Sequence, residues 1–502
     1  MIRSSNFRTR AAIAALSVLL LDACTVGPDY RKPPAVDTGR GWTQPTDDEQ
    51  AQIDLATWWT SLGDPALDRL VGTALSDNLD LRQAQARISE ARALRDRAAS
   101  GYAPSVNASG SVTQRRQSEN GPLPIGSIPG LERDQTIYDA GFDAAWEIDL
   151  FGKTRRSVES ARASMQAAQD DANGVRISVT AEVARSYLTL RGAQRELAAR
   201  EASVQTLQQT LDLVRRRFAV GDAAQADVDT TQARLAAADA DLPDIRARLR
   251  AAALGLGVLL GAPPERELAL LNTTAPEIAL APIPVGERAD ILRRRPDIRA
   301  AERRLAASTA DIGVATAELF PKLSIGASGG FQSLGLGSLF DPASQALSIM
   351  PLISWRVFDG GRVRAEIRAS EARQRQAALA YEQAVLTALG DAERALSNYH
   401  LALDAVQRQG VALEAARRSY AHAQTRFKVG DIALTDLLAE ERVLRDAEDA
   451  YVRTHTATAI ALIALFKALG GGWDAHTATA DARGQAAGKQ RPSALHDGWT
   501  GA

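Results

Sequence analysis

The chain has 502 residues, a formal net charge of −2 and 5% aromatic residues. That balance leaves no basic footprint for nucleic acid, and the abundance of Ala, Arg, Gln and Glu points to long helices rather than one large core. Beyond an N-terminal apolar run there is no stretch suited to a transmembrane helix, which excludes an inner-membrane protein of the usual kind.

Residues 1–23 have the three parts of an export signal: Arg3, Arg8 and Arg10, an apolar run over 11–21, and a short motif ending before Cys24. Cys24 is the only cysteine, so no disulfide can form within the chain. The stretch Leu21-Asp22-Ala23-Cys24 resembles a bacterial lipobox, with Asp22 where a small or hydroxyl residue is usual. That likeness implies a lipid-modified Cys24 and a tether to outer-membrane lipid; an incidental cysteine is the alternative. Residues 24–65 read as an extended, proline-bearing, lipid-anchored segment, and a helix is expected over 66–100.

A β-hairpin is expected over about 103–150. Tyr138, Ala140, Phe142, Ala144, Trp146, Ile148 and Leu150 fall on one face, and Asp139, Gly141, Asp143, Ala145, Glu147 and Asp149 on the other. Val106, Ala108, Gly110 and Val112 alternate with Ser105, Asn107, Ser109, Ser111 and Thr113 in the same way. From Gly152-Lys153 a proline-free arm runs to Phe218, carrying Val183, Leu190, Leu197, Val204, Leu211 and Phe218 at seven-residue intervals, with Tyr187 on a second seam. Paired apolar heptads are the sequence form of a left-handed coiled coil. A helix of that length reaches on the order of 100 Å, which suits a device that crosses a space. The arm turns at Val220-Gly221-Asp222 and returns as a helix over 222–260, kinked at Pro243. Gly suits the residue past a helix end, and the adjacent Asp is expected to cap the next helix.

A Pro-rich connector, 262–286, leads to a second copy of the whole arrangement over 287–470. A helix is expected over 287–318 and a β-hairpin over about 321–358, where Leu323, Ile325, Ala327 and Phe331 alternate with Ser324, Ser328 and Gln332. The segment from 347 to 358 alternates less cleanly, because Met350 and Leu352 sit on its polar face. A second arm starts at Gly361-Arg362. Val385, Ala392, Tyr399, Val406, Leu413, Tyr420 and Phe427 mark its heptads, and Leu389, Leu396 and Leu403 a second seam. It turns at Val429-Gly430-Asp431 and returns over 433–469; residues 471–502 read as a disordered tail. Shifting the first repeat (66–261) by about 209 positions superimposes Gly221 on Gly430, Asp227 on Asp436 and Gly261 on Gly470. Upstream the shift is about 217, matching Asp80, Arg82 and Pro104 to Asp297, Arg299 and Pro321.

Alternation over about ten residues is what a membrane-spanning barrel strand needs, with apolar side chains to lipid and polar ones to the lumen. A soluble sheet with one wet face is the alternative for any single segment. Two matched hairpins favour the barrel, yet four strands cannot close one, because the smallest barrels use about eight. Strands pooled from several chains are therefore expected, and with them an obligate oligomer. The lumen-facing candidates Asp139, Asp143, Glu147 and Asp149 would then form an acidic ring with a mild cation preference.

No catalytic constellation is present. The five histidines (His400, His422, His455, His476 and His496) make no metal-ligand spacing, and neither a phosphate-binding glycine loop nor a nucleophile elbow occurs. No enzyme, cofactor or metal is expected.

Several motifs coincide over most of the chain. Cys24-Thr25-Val26-Gly27-Pro28-Asp29-Tyr30, Trp58-Trp59 with Asp64-Pro65, Arg294-Arg295-Pro296-Asp297, Phe320-Pro321, Asp149-x-Phe151-Gly152-Lys153 and Phe358-Asp359-Gly360-Gly361-Arg362 resemble the TolC-like outer-membrane factors of tripartite efflux systems, in the branch of NodT-type outer-membrane lipoproteins. The resemblance implies a mainly α fold with a transmembrane β part. A long coiled-coil α-helical barrel, internally duplicated, would join a 12-stranded β-barrel shared by a homotrimer, four strands per chain. It implies a passive exit duct for small molecules, served by a periplasmic adaptor protein and an RND-type inner-membrane transporter. It further implies that the turns Val220, Gly221, Asp222, Val429, Gly430 and Asp431 dock the adaptor, and that Asp436, with its repeat partner Asp227, gates the periplasmic end. Plain helix hairpins and helix caps are the alternatives for these positions. A protein-secretion duct and a pore-less anchored scaffold are the rival functions.

Overall fold

Each heptad run becomes one unbroken helix. The computed structural model describes residues 25–34, 37, 39, 41–44, 54–118, 132–274 and 277–474; Cys24, the export signal and residues 475–502 of the expected tail lie outside the described residues. In chain order the elements are α1 (Pro65–Asp77), α2 (Leu79–Ala99), β1 (Ser105–Arg116), β2 (Asp134–Ile148), α3 (Lys153–Ala219), α4 (Gln225–Ala240), α5 (Leu242–Leu259), α6 (Ile291–Arg294), α7 (Pro296–Ala317), β3 (Lys322–Ser333), β4 (Gln345–Ser354), α8 (Arg362–Lys428) and α9 (Leu434–Ala468). α3 and α8 are each 67 residues long. Three expected helices are divided. Pro243 removes an amide and separates α4 from α5, Pro296 does the same between α6 and α7, and α1 ends before Asn78.

The chain divides into two compact units, and α3 and α8 pass through both. The first comprises Met1–Pro34, Arg87–Ala168 and Ala300–Tyr381. Its centre is one antiparallel sheet in the order β1-β2-β3-β4. The register keeps the four alternations in phase. Asn107, Asp143, Ser328 and Ser348 form one cross-strand row, and Val106, Ala144, Ala327 and Ile349 form the next. Successive side chains of a strand point to opposite faces, so the sheet has one apolar face and one polar face, the latter interrupted on β4 by Met350 and Leu352. Gly141 and Gly330 stand opposite each other. A Cβ on Gly330 would come within 2.3 Å of the Ala140 carbonyl oxygen, so the backbones approach more closely than any larger residue permits.

The N-terminal segment is strapped to this unit. Val26 N donates to the Phe151 carbonyl at 3.2 Å, and Arg155 Nη1 to Thr25 Oγ1 at 2.8 Å. Arg156 donates to the Gly27 carbonyl and to Asp29 Oδ1 at 2.7 Å. Tyr30 Oη donates to Glu302 Oε1 at 2.9 Å.

The second unit comprises Ala35–Ala86, Gln169–Arg299 and Glu382–Ala502. Its main core gathers Trp58, Leu67, Leu70, Tyr187, Leu190, Leu256, Leu396, Tyr399 and Phe466 from six helical segments. Trp58 stacks on Phe466 with ring centroids 4.9 Å apart. Burying large aromatic and aliphatic side chains is worth about 1.5–3 kcal/mol each, which fixes how these segments meet. A smaller core holds Leu207, Leu211, Val214, Val228, Phe427, Leu437 and Leu438.

The heptad seams are buried or half-buried with one exception. Phe427 is buried, whereas its repeat partner Phe218 is exposed. Arg217 supplies the reason: its guanidinium lies 4.5 Å from the Phe427 ring centroid and donates to the Phe427 carbonyl at 2.7 Å. One phenylalanine thus takes the cover that two would share. The expected tail also begins later than residue 471, because Trp473 is buried and donates to the Arg294 carbonyl at 3.0 Å.

The connector is pinned to the helices. Tyr399 Oη donates to the Ala281 carbonyl at 2.7 Å, and burial pushes its hydroxyl up to about 12. His455 Nε2 lies 3.0 Å from Glu277 Oε1. Burial holds that imidazole below its ordinary value, against the pull of Glu277.

Candidate channel strands, helical tips and capping carboxylates

The polar sheet face carries three of the acidic residues expected to face a lumen. Asp139 accepts from Gln332 Nε2 at 2.7 Å, across the β2–β3 register, and Asp143 accepts from Ser109 Oγ at 3.1 Å. Glu147 stands opposite Ser324 in the same row system.

Asp149 is different. It lies past the end of β2, and its carboxylate accepts from Thr154 N at 3.0 Å and Arg155 N at 2.8 Å. It caps the free amides that begin α3, so it is not a member of the strand face. Asp359 does the same before α8, accepting from Gly361 N and Val363 N at 2.9 and 3.0 Å. β4 likewise ends at Ser354, short of Phe358, and Trp355 donates to the Leu319 carbonyl at 3.0 Å. Between strand and helix, Glu318 accepts from Lys153 Nζ at 2.6 Å and Lys322 Nζ at 2.8 Å. Burial alone would raise this carboxyl, but the two ammonium partners outweigh it and hold it down to about 2.

Both helical tips close in the same way. Gly221 and Gly430 have φ of +82° and +83°, the left-handed conformation that glycine adopts without strain. Gly221 N donates to the Phe218 carbonyl and Asp222 N to the Arg217 carbonyl; Gly430 and Asp431 repeat this with Phe427 and Arg426. These paired bonds are a Schellman closure. Val220 and Val429 are 80% and 77% exposed, so each turn presents an apolar point beside a carboxylate. Asp222 and Asp431 do not cap the following helices. They turn back on the preceding arginines, Asp431 to Arg426 at 2.7 Å and Asp222 to Arg217 at 3.8 Å.

The capping falls to Asp227 and Asp436. Asp227 Oδ2 accepts from Ala224 N at 3.0 Å and Asp436 Oδ2 from Ala433 N at 3.3 Å, each reaching back from the third position of its helix. Asp436 is exposed and Asp227 half-buried.

The two patterns Asp-x-Phe-Gly and Asp-Gly-Gly carry the signal for the caps at Asp149 and Asp359. No sequence pattern flags the Arg217–Phe427 contact, which joins residues 210 positions apart.

Among the described residues, no helix is long and apolar enough to cross a membrane, and no cluster of potential metal ligands occurs. The family model described as outer membrane efflux protein matches residues 70–262 and 288–471. The outer membrane protein OprJ of Pseudomonas aeruginosa is 32% identical over 467 residues, covering 92% of this chain and 95% of its own. Nodulation protein T of Rhizobium leguminosarum is 31% identical over 472 residues, covering 91% of this chain and 96% of its own. Among solved structures, the outer-membrane channel OprN superimposes with a TM-score of 0.80 at 37% identity, covering 90% of this chain and all of the other. The chain belongs to the outer membrane efflux protein family.

Proposed function

We propose that the chain is one subunit of a homotrimeric outer-membrane exit duct of a tripartite efflux pump. Small molecules reach it from an inner-membrane transporter of RND type through a periplasmic adaptor. The observation that carries this reading is the sheet of the first unit. It has an apolar face and a polar face in register along its strands, the polar one interrupted on β4 by Met350 and Leu352, and its outer strands β1 and β4 each pair on one side only. Unpaired strand edges cannot sit in hydrocarbon, so the sheet closes only by joining copies of itself, with the polar row of Asp139, Asp143 and Glu147 toward the lumen.

The lipid tether fits the same reading. Thr25, one residue past Cys24, is hydrogen-bonded to Arg155, and Val26 to Phe151, three positions past the end of β2. A lipid on Cys24 would therefore enter the bilayer at the foot of the barrel. The tips Val220, Gly221, Asp222, Val429, Gly430 and Asp431 offer repeated apolar points for the adaptor. Asp436 and Asp227 supply a gate charge as well as a cap.

Detergent-corrected mass measurement on protein extracted from membranes tests the trimer, and planar-bilayer conductance of that material tests the duct. A trimer that conducts supports the reading. A monomer, or a trimer without conductance, leaves an anchored coiled-coil scaffold. Mass spectrometry of proteins co-purified after cross-linking identifies the transporter and sets its class.

A further inference from the structure

Within the second unit, the internal duplication shows what must cover a surface that the chain leaves open. The second repeat forms a cleft of about 440 Å³, where Pro296 from α7, Asp391 and Arg394 from α8, and Lys467 from α9 face Ile177 and Ser178 from α3. Pro296 is buried, and Ile177 is only 6% exposed. One wall of the cleft thus comes from the second repeat and the other from the first.

Carried back by the repeat offsets, the second-repeat wall becomes Leu79, Glu182, Arg185 and Val258. The correspondence holds in detail, because the Asp391–Arg394 ion pair is matched by Glu182–Arg185 at the same helical spacing. The facing wall, carried forward, becomes Leu386 and Thr387. In this chain that wall is missing. Leu79 is 56% exposed, Val258 61% and Leu386 54%. The equivalent three places of the covered cleft hold Pro296, Lys467 and Ile177, so the uncovered version is also the more apolar one.

We propose that Leu386 of a second copy of this chain docks between Leu79 and Val258, completing in the first repeat the cleft that Ile177 completes in the second. The proposal rests on the trimeric reading above and assigns its contact. It is heterologous, since the second repeat of one copy covers the first repeat of the next, and contacts of that kind make a ring when the rotation closes, as the trimeric reading requires. It runs in the same sense as the sheet, whose free edges β1 and β4 also belong to the first and second repeats. Burying three apolar side chains that are otherwise wet supplies the drive.

Cysteine pairs test it in the full-length protein in membranes, with wild type as the background because Cys24 is the only native cysteine. Leu79→Cys with Leu386→Cys in one chain, treated with a short bismaleimide, should yield covalent dimers and closed trimers. Each single variant should yield none. Co-expressed single variants should yield dimers alone. A trimeric mass without any cross-link in the double variant overturns the contact while leaving the trimer standing. A monomeric mass overturns both. Cross-linking confined to one chain, or of Leu79→Cys to a different protein, also overturns it. As a second reading, Leu386→Asp should reduce the trimer-to-monomer ratio in mild detergent at least about tenfold, with helix content by circular dichroism retained; an unchanged ratio counts against the contact.

Discussion

Asn78 and Arg295 occupy the same position of the two repeats and make the same bond. Asn78 Nδ2 donates to the Leu259 carbonyl at 2.7 Å, and Arg295 Nη1 to the Ala468 carbonyl at 3.4 Å, the residue 209 positions further on. Each stands where a helix breaks, and each reaches the last turn of the helix that ends its repeat. The glycines just beyond complete the joint. A Cβ on Gly261 would come within 2.4 Å of the Asp77 carbonyl oxygen, and one on Gly470 within 3.1 Å of the Arg294 carbonyl oxygen. Two different side chains thus maintain one duplicated junction.

Asn78 also caps α2, accepting from Asp80 N and Leu81 N at 2.9 and 3.1 Å. Asn78→Ala removes the cap and leaves the half-buried Leu259 carbonyl without its side-chain donor, a loss of about 1–3 kcal/mol. The thermal midpoint of the purified protein should fall, and Asn78→Asp should fall too, because a carboxylate cannot donate to Leu259. A midpoint equal to wild type would contradict the junction.

At the tips, Gly221→Val or Gly430→Val forces a β-branched residue into the left-handed region, at a cost of about 1–2 kcal/mol to the turn. Cross-linking to the adaptor should decrease while the detergent-corrected mass is unchanged. Equal cross-linking would leave these turns as helix hairpins without a docking role.

If Asp436 gates the proposed trimeric duct, Asp436→Ala should raise single-channel conductance, because it would remove a charge repeated around the channel axis. It also removes a cap, worth about 1 kcal/mol, so a modest loss of thermal stability accompanies it. Stability lost with conductance unchanged would assign Asp436 to capping alone.

Glu318 gives a signed pH dependence. Its folded carboxyl is held down to about 2 against an ordinary value of 4.5, so its stabilising effect is complete above about pH 4.5. The contribution fades as pH falls from there through about 2, below which both states are protonated. Glu318→Gln should lower the thermal midpoint at pH 7 and flatten its fall between pH 5 and 3 (both on the order of the titration range above). Parallel pH profiles for variant and wild type would contradict the Lys153–Glu318–Lys322 cluster.

The combined substitutions Asp139→Asn, Asp143→Asn and Glu147→Gln should shift the reversal potential in a salt gradient toward anions. Asp149→Asn alone should leave selectivity unchanged and lower stability, because that carboxylate caps α3. A selectivity change from Asp149→Asn would return it to the lumen face.

The two arms, the tips and the alternating strands are local matters of periodicity. Heptads within proline-free runs of 67 residues, and alternation over 10 to 15, leave few other structures open. The resemblance carried by Arg294-Arg295-Pro296-Asp297 and its companions added the family, since fold alone does not name a function. Asp149 shows the limit of alternation as a guide: it keeps the phase of β2, yet the first free amides of α3 claim its carboxylate. Phe218 and Phe427 show the limit of repetition. Identical heptad positions have different burial, because Arg217 meets only one of them.

The sequence by itself determined which segments are helix and strand, that they occur twice, and which face of each strand is polar, since these follow from side-chain spacing along one backbone. Only the tertiary structure decided that the four polar faces fall into common rows, that Asn78 and Arg295 serve one junction, and that Leu79, Val258 and Leu386 are left uncovered. Those facts depend on register and on contacts between residues far apart in the chain, where the packing of the repeats, and no local pattern, selects the partner.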